Sequence, residues 1–240
     1  MPQKTVLGPG WRRFFFDYLD FADTIIALVA HRCGDHDVVI TAGGHDLQGE
    51  PHMKKPVLFI HGAGEGAFEE DRLLVASLRN ALGLAYDVRY PKMPEEDNAT
   101  YADWKAPIER EWATLDEEVI LVGHSVGGSV LVKYLSEQQL DKPICSLFLL
   151  APPYWGADEF WKWDEARLPE DVAAKLASVP QIFLYHSRDD DIVPFAHLAL
   201  YAAKLPWATV HEFDGRGHQL GNDLAEVAED IRETEIAAER

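Results

Sequence analysis

An α/β fold built on a mostly parallel central sheet is what this sequence predicts, and three observations carry the prediction. From Pro56 onward, short β-branched runs alternate with longer helical patterns, the rhythm of βαβ units. Several runs, Val119-Ile120-Leu121-Val122 and Leu147-Phe148-Leu149-Leu150 among them, are apolar at four consecutive positions, as strands covered on both faces must be. The chain has 240 residues, 47% of them hydrophobic, enough to bury one sizeable core at a length where α/β folds form a single domain.

The elements follow in order. Residues 1–52 stand apart from the rhythm: a helical stretch at about 11–31 leads into a segment rich in Gly, His and Asp, with a strand suggested only at 38–41. They read as an N-terminal extension, whether a packed helix, a flexible arm or a segment the working protein lacks. Met53-Lys54-Lys55 then opens a domain at 53–240 whose first strand is 56–61, followed by a helix near 69–82. A strand at 86–90 runs into the loop Pro91–Asn98 and a helix near 102–115. The apolar run at 118–122 precedes a helix near 126–139; the next, at 144–150, contains Cys145 and opens onto a long loop starting at Pro152. Strands at 181–186 and 209–213, with helices near 195–204 and 221–236, complete about six strands with helices on both faces.

Charge narrows the function classes. With 22 basic against 41 acidic residues the net charge is −19, which repels phosphate backbones and anionic membrane surfaces. Nucleic acid is not an expected partner. Phe14 to Ala30 is apolar but carries Asp17, Asp20 and Asp23, so neither a spanning helix nor a signal-peptide core is expected there. Cys33 and Cys145 are too few for a disulfide framework and suit a reducing compartment. The expectation is a cytoplasmic protein without membrane insertion.

The chemistry centres on Gly123-His124-Ser125-Val126-Gly127, followed by Gly128, between an apolar strand and an amphipathic helix. This is a G-x-S-x-G elbow, a turn so tight that its flanking positions tolerate almost no side chain, which leaves the serine exposed at the helix N-terminus. The bare pattern arises by chance in such a chain with probability roughly 0.08; its place between strand and helix makes it informative.

A serine hydroxyl needs a base, and the base needs a carboxylate to orient it, in the chain order Ser, acid, His. His218 qualifies because it follows the last strand, in Gly215-Arg216-Gly217-His218. Its rival His211 lies within that strand, where a packed or surface role is expected, since sites sit beyond the carboxyl ends of strands. The acid belongs among Asp189, Asp190 and Asp191, just past the strand at 181–186; the residues alone leave the three open. For the developing oxyanion, the backbone N–H of Val126 is one donor. The loop His61-Gly62-Ala63-Gly64 suggests Ala63 N–H as the second.

Together, His61-Gly62-Ala63-Gly64, the elbow, Asp190-Asp191-Ile192-Val193-Pro194 and Gly217-His218 resemble the α/β-hydrolase superfamily over about residues 54–238. The compact size looks most like the small serine hydrolase family that includes retinoblastoma-binding protein 9, although the Leu-x-Cys-x-Glu pattern is absent and residues 1–52 have no counterpart. The resemblance implies an α/β-hydrolase fold with a minimal lid, at about 153–178, and no cofactor or metal. An aspartate two residues before Val-Pro is commonly the triad acid in such proteins, which selects Asp190. His61 and His124 are implied as supporting residues.

Tyr154-Trp155-Gly156-Ala157-Asp158-Glu159-Phe160-Trp161-Lys162-Trp163 is unusually aromatic for a loop. It reads as a lid or pocket wall in which Tyr154, Trp155 and Trp161 contact an apolar acyl group; packing of the lid onto its own domain is the competing reading. A carboxylic ester is the favoured small-molecule substrate, with thioesterase and aminopeptidase-like activity as alternatives, since all three share this machinery. Outside that class stand a non-catalytic interaction protein on the same fold, and a metal site at His186, the three aspartates and His197, which has no recognised ligand spacing.

Overall fold

The computed structural model describes residues 54–115, 118–138 and 142–238. The expectations for 1–52, including the helix at 11–31 and the strand at 38–41, lie outside the described residues, as does Cys33.

Six strands form one sheet: β1 (Lys55–Ile60), β2 (Tyr86–Arg89), β3 (Val119–His124), β4 (Ile144–Leu150), β5 (Ile182–Ser187) and β6 (Thr209–Phe213). Their order is β2-β1-β3-β4-β5-β6, and every neighbouring pair is parallel. Between them run α1 (Ala67–Leu82), α2 (Tyr101–Ala113), α3 (Val126–Glu137), α4 (Val172–Lys175), α5 (Ala196–Lys204) and α6 (Ala225–Ala238).

The apolar runs follow from two cores, one on each face of the sheet. Successive side chains of a strand point to opposite faces. Val57 and Phe59 therefore join Ile120, Val122 and Phe148 against Leu74 and Leu78 of α1 and Ile231 of α6. Leu58 and Ile60 join Leu121, Leu147 and Leu149 against Trp104 of α2, Leu131 of α3 and Tyr201 of α5. Each large apolar side chain withdrawn from water in this way contributes about 1.5–3 kcal/mol. All six residues of β3 are buried, which explains why no alternation is visible in its sequence.

Three departures from expectation have local causes. β3 runs on to His124, because Gly123 and His124 still pair with Leu149 and Leu150. The last helix begins at Ala225 rather than near 221, since Gly221 and Asn222 take left-handed φ of 65° and 55°, which no right-handed helix accommodates. Asp223 then offers its carboxylate to the Ala225 amide at 3.0 Å, as a capping side chain does. The expected lid also holds a 3-10 turn, Asp164–Ala166, and the short α4.

Because the strands are parallel, the segments that follow them gather along one edge of the sheet. The chain order reverses between β1 and β3, and the crevice at such a switch point is where open α/β sheets place ligands. Among the described residues no helix is long and apolar enough to cross a membrane, and Cys145 is a free, half-buried thiol.

Candidate active site

Ser125 follows the last residue of β3 and caps the start of α3 with φ 49° and ψ −125°, a conformation costing on the order of 1–3 kcal/mol outside glycine. Its amide donates to the Leu150 carbonyl at 2.8 Å, which pins the turn to β4. The neighbouring glycines are required by space. A β-carbon on Gly123 would lie 2.5 Å from Gly128 Cα, and one on Gly127 would lie 2.4 Å from the His61 carbonyl oxygen.

His218 and Asp190 are brought together from the loops after β6 and β5. Asp190 Oδ2 is 2.8 Å from His218 Nδ1 and 3.0 Å from His186 Nε2. Its other oxygen accepts the amides of Ile192 at 2.9 Å and Val193 at 2.8 Å. Burial alone would raise this carboxyl, but the hydrogen bonds from His186, His218 and the Val193 backbone outweigh it and hold Asp190 far below the usual carboxylate range. An ionised Asp190 only accepts, so His218 Nδ1 is the donor of this pair and Nε2 is the nitrogen turned away from the acid. Asp189 instead accepts from the Ser187 hydroxyl and the Gly217 amide, shaping the loop that carries His218. Asp191 is exposed.

No hydrogen bond joins the serine to the histidine expected to serve it. Ser125 Oγ and His218 Nε2 have no hydrogen-bond partner among the described residues, a looseness common in hydrolases before substrate binds. They are linked through His124, whose Nε2 lies 3.1 Å from the His218 carbonyl and whose ring centroid is 4.8 Å from that of His218.

The loop after β1, expected to supply an oxyanion donor, is organised around one amide without a described partner. Gly62 N–H donates to Asp71 Oδ2 at 2.8 Å and Gly64 N–H to the Glu96 carbonyl at 2.6 Å. The amides of Ala63 and Val126 donate to no described residue and so are free for a substrate oxygen. His61 supports the loop from below: Nδ1 donates to the Gly62 carbonyl and Nε2 accepts from Met93 N–H. Burial lowers its pKa, and a neutral ring fits that one-donor, one-acceptor pattern.

The remaining expected residues make contacts of their own. His211 stacks on Tyr185, ring centroids 4.6 Å apart. His197 Nδ1 accepts from the Tyr154 amide at 2.9 Å and its ring lies edge-on to Trp161; among the described residues no three His, Cys, Asp or Glu side chains converge as metal ligands. Trp155 donates its indole N–H to Ser129 Oγ on α3 and packs on Trp161 and Trp163. These contacts tie the lid to α3 and α5.

Sequence reasoning missed Asp71 and the role of His186. Asp71 had a legible signal, since it occupies the apolar stripe Ala67, Asp71, Leu74, Val75, Leu78, Leu82 of α1, where a lone carboxylate requires a partner. His186 had none, being one histidine in a buried strand.

The family model described as "Serine hydrolase" matches residues 75–222. The putative hydrolase YdeN of Bacillus subtilis (strain 168) is 25% identical over 179 residues, 71% of this chain and 89% of that protein. Its gene product's crystal structure superposes with a TM-score of 0.60 at 22% identity, covering 75% of this chain and 98% of that one. The meta-cleavage product hydrolase CumD from Pseudomonas fluorescens IP01 gives a TM-score of 0.59 at 17% identity, over 77% of this chain and 91% of that one. Est1E from Butyrivibrio proteoclasticus gives 0.56 at 17% identity, over 79% and 91%. These structures share the α/β-hydrolase fold.

Proposed function

The chain belongs to the serine hydrolase family, and from that premise we propose a carboxylesterase that cleaves small or medium apolar acyl esters through Ser125, His218 and Asp190, within a hydrolase domain at 53–240. The observation that carries the reading is the Asp190 carboxylate, a solvent-shielded side chain whose Oδ2 meets His218 Nδ1 at 2.8 Å. An ionised acid fixed by two backbone amides leaves the far nitrogen of His218 to serve as the base, and the serine is held in a strained turn.

In the proposed reaction His218 Nε2 takes the Ser125 hydroxyl proton as Oγ attacks the ester carbonyl. Asp190 holds the ring and stabilises the imidazolium. The amides of Ala63 and Val126 receive the developing negative charge, a contribution of about 2.7–4 kcal/mol per donor where one has been removed in a comparable hydrolase. As the tetrahedral adduct collapses, the alcohol leaves with the proton from His218. A water then attacks the acyl-enzyme, His218 takes its proton, and the acid departs as Ser125 recovers its own. Tyr154, Trp155 and Trp161 form the wall proposed to meet the acyl group, their rings supplying rigid apolar area.

The test uses a fluorophosphonate probe and a short-chain nitrophenyl ester on the full chain and on Ser125→Ala and His218→Ala. Labelling at Ser125 with turnover, both lost in the variants, is the expected result. A folded wild type that neither labels nor turns over would show that the fold serves binding instead. Comparison with a matched thioester and anilide assigns the leaving group.

A further inference from the structure

We propose that Asp71 and His124 form a buried ion pair, with His124 as the imidazolium, that positions the oxyanion loop, the nucleophile elbow and the base as one unit. The proposal rests on the hydrolase reading of Ser125, His218 and Asp190. Neither residue touches the reacting atoms; both are positioning residues.

The hydrogen-bond inventory carries the proposal. Asp71 and His124 are each 1% exposed. His124 Nδ1 lies 2.8 Å from Asp71 Oδ2, and Nε2 lies 3.1 Å from the His218 carbonyl oxygen. A carbonyl and a carboxylate only accept, whereas neutral imidazole has one N–H. Two protons on the ring satisfy both contacts. The same carboxyl also accepts from Gly62 N–H at 2.8 Å and from the Gln219 amide at 3.1 Å, and donors converging on it favour its ionised form. Burial by itself would lower His124, but the charge and hydrogen bond of Asp71, the His218 carbonyl and the charge of Asp190 outweigh it and raise its pKa. Asp71 is correspondingly lowered, against its own burial.

The pair joins segments distant in the chain. From α1, Asp71 reaches the loop after β1 through Gly62, the end of β3 through His124, and the loop after β6 through Gln219 and, by way of His124, the His218 backbone. Replacing a buried ion pair by apolar packing is often neutral for stability, so its consequence is geometric. It is also electrostatic. The charged or titratable groups facing His124 are Asp71 on α1, Asp190 after β5 and His218 itself, whose ring centroid is 4.8 Å away; a second proton on His218 would place two cations side by side.

Nitrogen-15 NMR of the full chain at neutral pH, compared with Asp71→Asn and His124→Gln, tests this directly. Both ring nitrogens of His124 are expected to be protonated in the wild type, with one proton lost in Asp71→Asn. A singly protonated His124 in the wild type would overturn the proposal whatever the activity. In folded variants kcat for the nitrophenyl ester is expected to fall about 10–100-fold, the scale of a misplaced reacting group, with KM little changed. The acid limb of kcat/KM should move to higher pH in Asp71→Asn, because the cation beside His218 is gone. Were His124 neutral, loss of the Asp71 charge alone would move that limb to lower pH. Unchanged kcat in folded variants overturns the positioning role while leaving the hydrolase intact. A wild type that neither labels nor turns over removes the hydrolase reading and the positioning role with it.

Discussion

Gly127 lies directly against Ile60: a β-carbon on the glycine would stand 2.3 Å from the carbonyl oxygen of Ile60. The first turn of α3 thus rests on the end of β1, and the seating of Ser125 depends on that contact. Gly127→Ala forces the helix away from the strand, at about 1–3 kcal/mol or more for an overpacked site. Urea unfolding should report that loss, and fluorophosphonate labelling of Ser125 should slow with it. Labelling at the wild-type rate would show that the close approach does not set the nucleophile.

Asp190→Asn should be the most damaging of the three aspartate substitutions. It keeps the shape but leaves His218 Nδ1 facing an amide, which permits the wrong tautomer; the same change in a serine protease triad lowers kcat about 10⁴-fold. Asp191→Asn, on an exposed side chain, should stay close to wild type. Asp189→Asn should fall between them, since Asp189 holds the Gly217 amide. Steady-state kcat on a nitrophenyl ester ranks the three, and equal losses at Asp190 and Asp191 would contradict the assignment of the acid.

Stability should fall with acidification in a way traceable to two carboxylates. Asp71 and Asp190 both have lowered pKa values when folded. Their contribution is therefore present above the unfolded value of about 3.9 and lost as pH falls through the folded values. Raised His124 acts in the opposite sense: its contribution is full below about 6.5 and lost as pH rises through its folded pKa. Urea unfolding from pH 3 to pH 9 should show both slopes. Asp190→Asn should flatten the acid one, and His124→Gln the basic one.

Trp161 separates the two readings of the aromatic lid. If its ring contacts the acyl group, Trp161→Ala should raise KM for longer or aromatic acyl chains while leaving that for acetate esters almost unchanged. If it only packs on Trp155 and His197, the variant should lose stability uniformly with no change of chain-length preference. A chain-length series at constant leaving group distinguishes them.

What the sequence could show depended on how local each determinant is. The inner strands were legible because burial on both faces imposes continuous apolar runs, as at Val119 to Val122, whereas the edge strands β2 and β6 are partly exposed and showed only as short β-prone stretches. Asp190 was left among three aspartates by the residues themselves, because their carboxylates differ only in where the turn after β5 aims them. The start of α6 was misplaced because the left-handed Gly221 and Asn222 leave only a weak composition signal.

By itself, then, the sequence determined the α/β architecture, the strand-to-helix elbow at Ser125 and the loop positions of His218 and Ala63, all of which are encoded in runs of a few neighbouring residues. Only the tertiary structure decided that Asp190 meets His218 and that Asp71, from a helix 53 residues before His124, lies under the elbow. Such contacts are made by packing α1 and the loops after β5 and β6 along one edge of the parallel sheet, and they depend on distances in space that spacing along the chain does not record.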